Sequence, residues 1–111
     1  MPFTARHAAP DQVPTREEID AMPGLLALEF GTNWCPHCIA AQQLFQRALD
    51  AREDITHLKV EDGRGRPLGR SYRVKLWPTL VLLRDGQEVA RLIRPRTDDE
   101  LARALALLDA T

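Results

Sequence analysis

Apolar positions along the chain fall into runs of two kinds. Leu25, Leu26, Ala27, Leu28 and Phe30 form a nearly unbroken apolar run, interrupted by Glu29 and flanked by Pro23-Gly24 and Gly31. A short continuous run between turn signals predicts a strand buried on both faces, as in a parallel sheet. Ala41, Leu44, Phe45, Ala48 and Leu49 then recur at helical spacing, and Pro36 suits that helix's first turn, which puts Cys35 at its N-terminus. His57 to Glu61 alternates, with Leu58 and Val60 on one side, and predicts a second strand before the turn Asp62-Gly63-Arg64-Gly65. Thr79 to Leu83 and Glu88 to Ile93 are β-prone and meet at Asp85-Gly86, the strongest hairpin signal in the chain.

Helix boundaries are marked by polar residues. Thr15 with Glu18 has capping-box spacing, and Ile19 with Met22 gives one apolar side to a short helix that Pro23-Gly24 ends. Thr97 with Glu100 repeats the spacing ahead of Leu101, Ala104, Leu105 and Leu108, the stripe of a closing helix. Pro67 to Arg73 is a weaker helical segment. Residues 1 to 14 hold three prolines and little periodicity, and are read as a leading segment with a short edge strand over Phe3 to Ala5. The alternating part of this order needs crossover connections, while the hairpin adds antiparallel strands. An α/β fold follows, a central mixed sheet flanked by helices on both faces, and 111 residues suffice for one such domain spanning 1 to 111.

Composition narrows the function classes. A chain that is 44% hydrophobic and 28% charged is an ordinary globular mixture. Its formal charge of -1 supplies no global field for phosphate backbones or anionic lipid, so neither nucleic acid nor a membrane surface is an expected partner. The longest apolar stretch, Gly24 to Phe30, is far short of the roughly 20 residues that span a bilayer. The first residues lack the apolar run of roughly 7 to 15 that a secretory signal requires, and a cytoplasmic, monomeric protein is expected.

The chemistry concentrates in Trp34-Cys35-Pro36-His37-Cys38, which holds the only two cysteines. A bridge between them closes too short a loop to staple a fold, so their role is chemical. Cys35 faces the unsatisfied N–H groups and positive dipole end of its helix, which favour thiolate, whereas Cys38 lies one turn in and is shielded. Cys35 is therefore the attacking thiol and Cys38 the resolving one. His37, when protonated, adds positive charge beside Cys35 and makes its disulfide more oxidising. Zinc would need two further ligands at paired spacing, which His7, His57 and the carboxylates do not offer, and haem attachment would need His where Ile39 stands. No metal or cofactor is expected. A purely structural, core-facing cysteine pair is the plainer alternative. Glu29 is the other conspicuous residue: a carboxylate inside an apolar run is costly unless neutral or partnered, which marks it as functional, the alternative being a place on an exposed edge.

Phe30-Gly31-Thr32-Asn33-Trp34-Cys35-Pro36-His37-Cys38 resembles the active-site segment of the thioredoxin family, and Trp77-Pro78-Thr79-Leu80-Val81-Leu82-Leu83 resembles its cis-proline strand. The hairpin and the last helix follow in the family's order, so the likeness runs from about Thr15 to the end. It implies a thioredoxin fold and an enzyme, a thiol:disulfide oxidoreductase acting on protein or small-molecule disulfides. Recycling would fall to a partner of the thioredoxin-reductase kind or another redox protein. The resemblance makes Cys35 the nucleophile, Cys38 the resolving cysteine and Pro78 the cis-proline, with Trp34, Pro36 and Trp77 beside it on the substrate surface. Glu29, six residues before Cys35, matches the family's buried acid, similar to a proton relay, and His57 and Lys59 are equal candidates for the basic group beside it.

The chain departs from thioredoxin in two places. Pro36-His37 is the dipeptide of the bacterial periplasmic dithiol oxidases, yet about forty residues between Cys38 and Pro78 leave no room for their helical insertion. Trp77 is bulkier than the small aliphatic usual before the proline, and either covers the disulfide, alters partner choice or is a core aromatic. Arg64, Arg66, Arg70, Arg73 and Lys75 form a basic segment that either steers acidic partners or is a solvated helix face. Two other readings stand beside the leading one: an oxidase or isomerase acting outside the cytoplasm, and a redox-gated binding module built on Trp34, Trp77 and Pro78.

Overall fold

The computed structural model describes residues 3–111. Helix α1 is Arg16–Asp20, and Thr15 caps it reciprocally: its hydroxyl accepts from Glu18 N–H at 3.1 Å while the Glu18 carboxylate accepts Thr15 N–H at 2.8 Å. Strand β1 is Leu25–Gly31, helix α2 Pro36–Asp50, strand β2 Ile55–Glu61 and helix α3 Pro67–Ser71. Strands β3, Thr79–Arg84, and β4, Gln87–Ile93, form the hairpin, and helix α4 is Asp98–Asp109. The sheet runs β2-β1-β3-β4, with β1 parallel to β2 and antiparallel to β3, and β3 antiparallel to β4. The mixed sheet that the element order predicts is therefore present, and the apolar run Leu25 to Phe30 lies at its centre.

Both faces of the sheet are covered. Leu26, Leu28 and Phe30 of β1 pack with Ile19, Leu68, Tyr72, Val81 and Leu83 beneath α1 and α3. Ala27 packs with Phe45 and Leu49 of α2, Leu80 and Leu82, and the α4 stripe Leu101, Leu105 and Leu108. Period-two alternation along β1 therefore turns Glu29 and Gly31 toward α2, the helix that carries the cysteines.

Three local expectations need correction. Phe3 to Ala5 is not a strand. Phe3 N–H goes to the Asp50 carboxylate at 3.3 Å and Thr4 N–H to His57 Nδ1 at 2.7 Å, so side chains take the donors that a backbone ladder would need. Strand β2 starts two residues before the predicted His57, because buried Ile55 pairs with Leu25 while exposed Thr56 hides the alternation. At α4 only half a capping box forms: Thr97 accepts Glu100 N–H at 3.2 Å, but the Glu100 carboxylate takes Arg96 N–H at 2.7 Å.

Candidate active site

Cys35 is the N-cap of α2, with extended backbone (φ -81°, ψ 118°), and its sulfur accepts Cys38 N–H at 3.3 Å. Cap geometry thus brings a helix amide onto one sulfur only. Both thiols are free and almost wholly buried. Cys38 lies against Gly31, where an added Cβ would come within 2.6 Å of its Sγ, so the glycine makes room for the thiol. Burial above all, and then the contact with the Cys35 sulfur, push the Cys38 thiol up from its ordinary value to about 12. The two sulfurs differ in their surroundings: that of Cys35 accepts a helix amide, and that of Cys38 is packed against Gly31.

Glu29 is fully buried, and both its oxygens are occupied. Oε1 accepts from His57 Nε2 at 2.9 Å and Oε2 from Gln42 Nε2 at 2.8 Å. The proton positions follow from the groups at the two ends of the chain. Thr4 N–H can only donate, so His57 Nδ1 must accept, which leaves the proton on Nε2 facing Glu29. Lys59 Nζ can only donate, and it donates to Gln42 Oε1 at 2.9 Å, so the Gln42 amide nitrogen faces Glu29. That same nitrogen donates to the Cys38 carbonyl at 3.1 Å, tying the network to the first turns of α2. Between the two equal candidates the structure thus brings His57 to the acid, while Lys59 reaches it only through Gln42.

The rim is built by the β3 approach and the α2 start. The Trp77–Pro78 bond is cis, Pro78 is buried, and the Trp77 carbonyl takes the Cys35 thiol at 3.9 Å. Trp34 is 72% exposed and meets the Trp77 ring edge-on, with centroids 5.7 Å apart. The Trp77 indole is half-buried and donates to the Asp62 carboxylate at 2.8 Å, so the ring lies between Trp34 and Asp62 instead of in the core. Pro36 and His37 are exposed, and no hydrogen bond joins His37 to Cys35 among the described residues. In the basic segment Arg66 pairs with Glu61 at 2.6 Å, while Arg70, Arg73 and Lys75 line a cleft that also contains Asp62.

Three contributors carry little or no signal in the sequence. Gln42 had a usable signal, since it lies four residues after Cys38 and so on the same helix face. Thr4 acts through its backbone N–H, which every residue but proline has, and Arg94, whose Nε donates to the Trp77 carbonyl at 2.9 Å, lies seventeen residues from it.

The Thioredoxin family profile matches residues 15–107. The chain belongs to the thioredoxin family. Thioredoxin 2 from Pseudomonas aeruginosa PAO1 in its reduced form is 47% identical, covering 98% of this chain and 100% of that one, with a TM-score of 0.84. The thioredoxin of Chlamydia trachomatis is 31% identical over 84 residues, 75% of this chain and 81% of the relative. Thioredoxin H2-1 of rice is 31% identical over 75 residues, 68% of this chain but only 54% of the relative, so the match spans about half of that longer protein.

Proposed function

We propose that this chain is a thiol:disulfide oxidoreductase with Cys35 as nucleophile and Cys38 as resolving thiol. The observation that carries the reading is the asymmetry of the pair: the Cys35 sulfur accepts a helix-terminal amide, while Cys38 is buried against Gly31 with its thiol pushed up. Cys35 thiolate attacks one sulfur of a substrate disulfide, the S–S bond breaks, and the distal thiolate leaves and takes a proton. Cys38 then loses its proton and attacks the Cys35 sulfur of the mixed disulfide, releasing the second substrate thiol. The substrate gains two electrons and two protons, and the protein is left with a Cys35–Cys38 disulfide.

In this scheme Glu29, held by His57 and Gln42, stands on the side of the sheet that faces Cys38 and serves the proton that leaves it. Trp34, Pro36, Trp77 and Pro78 form the surface on which the substrate backbone lies, and His37 stands exposed at its edge. Protein or small-molecule disulfides are the substrate class, and a separate redox partner resets the bridge. Action as a monomer in the cytoplasm is part of the proposal and is checked by ultracentrifugation and by cell fractionation. The decisive experiment is trapping: Cys38→Ser should accumulate substrates as stable mixed disulfides on Cys35, and Cys35→Ser should accumulate none. Capture by Cys35→Ser alone would reverse the roles.

A further inference from the structure

Arg94 is held against its own backbone preference at the edge of the cysteine pair. Its φ of 50° lies in the left-handed region, which a glycine occupies without strain and a long side chain seldom does. Such outliers persist where the surroundings over-determine them, and here two contacts do so. Arg94 N–H donates to the Pro78 carbonyl at 3.0 Å, and Nε donates to the Trp77 carbonyl at 2.9 Å. The second oxygen is also the one that takes the Cys35 thiol at 3.9 Å. Because the guanidinium and the reactive sulfur share one acceptor, they lie no farther apart than the sum of those two distances.

Anchoring through Nε leaves the two terminal nitrogens of Arg94 for another partner. The residue lines a cleft of about 680 Å³ together with His37, Gln43, Arg47, Ile93 and Arg96. Acids do approach this region: Asp98 holds Arg47 at 3.0 Å and the Glu100 carboxylate takes Arg96 N–H at 2.7 Å. Yet among the described residues no carboxylate pairs with the guanidinium of Arg94 or of Arg96. Arg94 thus presents an unpaired planar cation beside the nucleophile, with that of Arg96 in the same cleft, and a guanidinium fork matches a carboxylate in two parallel hydrogen bonds.

We propose that Arg94, seconded by Arg96, is a specificity-determining residue that selects disulfides carrying a carboxylate close to the reacting sulfur, peptide disulfides of the glutathione type among them. This rests on the oxidoreductase reading above and leaves its chemistry unchanged. Cys35 attacks, the substrate S–S bond breaks and the leaving thiolate is protonated, while Arg94 makes and breaks no covalent bond and holds the carboxylate.

The test compares kcat/KM for three disulfides at low ionic strength: glutathione disulfide, which carries carboxylates, uncharged hydroxyethyl disulfide and cationic cystamine. In Arg94→Gly, which also relieves the backbone, the preference for glutathione disulfide over hydroxyethyl disulfide should fall about tenfold, mainly through KM, and cystamine should gain on both. Arg94→Lys should keep most of the preference, and salt should erase it in the wild type. Arg103→Ala removes a solvent-facing charge outside the cleft and should leave the preference as it is. A preference unchanged in Arg94→Gly, or lost equally in Arg103→Ala, would overturn the proposal. So would an equal fall for all three disulfides, which would reduce Arg94 to a support for the Trp77 carbonyl. Turnover of none of the three by the wild type would overturn the proposal as well, whereas the oxidoreductase reading itself falls only if Cys38→Ser traps no mixed disulfide on Cys35.

Discussion

Glu29 shows how far one residue's behaviour is decided by groups it never touches. Thr4 N–H and the Lys59 ammonium, both obligate donors, set the direction of every hydrogen bond between them, so His57 and Gln42 both present N–H to the carboxylate. Removing a buried charge often stabilises a protein, but an amide at this position would turn its own NH2 toward one of those donors. Glu29→Gln should therefore cost about 1 to 3 kcal/mol of stability, as an unsatisfied buried donor does, and slow turnover as well. Urea denaturation beside a disulfide-reduction assay checks both, and unchanged stability would dissolve the fixed donor chain. The acid itself was legible, because a carboxylate in an apolar run needs a reason. Its partner was not: His57 and Lys59 share one side of β2, and only in the folded chain, where Lys59 donates to the Ala5 carbonyl and Gln42 while His57 meets the acid, is it decided which of them faces Glu29 directly.

At the scale of elements, the hairpin and the start of α2 carry separate tests. Asp85 and Gly86 turn the β3–β4 hairpin with φ of 50° and 80°, and Asp85 ties it to β1 by accepting Gly24 N–H at 2.7 Å. A Cβ on Gly86 would collide with the Asp20 carbonyl at the end of α1, whereas one on Gly65, also at positive φ, would meet open space. Gly65→Ala should cost about 1 kcal/mol for its backbone alone, and Gly86→Ala clearly more, readable as the difference in denaturation midpoints. Equal costs would mean that α1 yields freely. At the N-terminus of α2, the helix amide on Cys35 favours the thiolate of the reduced form as in the rest of the family, so the pair's potential should lie above roughly -270 mV, the value for thioredoxin itself, only by what the Pro36-His37 dipeptide adds. His37 is exposed, and water screens its charge, so His37→Ala should lower the potential by no more than about 30 mV in a glutathione titration. A larger drop would mean that the histidine charge is felt at the sulfur in spite of the solvent.

For the whole molecule, the buried thiol links redox state to pH stability. The Cys38 thiol is raised by burial, so the folded reduced protein holds its proton more tightly than the unfolded chain does. That contribution is complete below about pH 9 and is lost as pH climbs from about 9 toward 12. Reduced wild type should therefore lose more stability over this window than Cys38→Ala, and the oxidised protein, whose Cys38 carries no proton, should lack the effect. Tyr72 is also raised by burial but titrates in wild type and variant alike, so their difference isolates the cysteine. Parallel urea curves at about pH 8 and about pH 10.5 measure it, and identical losses would place Cys38 in contact with solvent.

Local pattern was enough for much of this protein, because periodicity, caps and turn chemistry are short-range properties. The central strand, the cysteines at a helix start, the Thr15 capping box and the Asp85-Gly86 hairpin could each be read within a window of a dozen residues. So could the place of Cys35 at the helix N-cap, which Pro36 in the first turn marks. Tertiary structure decided what depends on segments meeting from afar. The leading segment spends its donors on Asp50 and His57 side chains and so forms no strand. Gln42 becomes the link between Lys59 and Glu29, and Arg94 reaches the carbonyl that also takes the Cys35 thiol. Donors and acceptors are written into a sequence residue by residue, but which donor meets which acceptor is set by packing across the sheet.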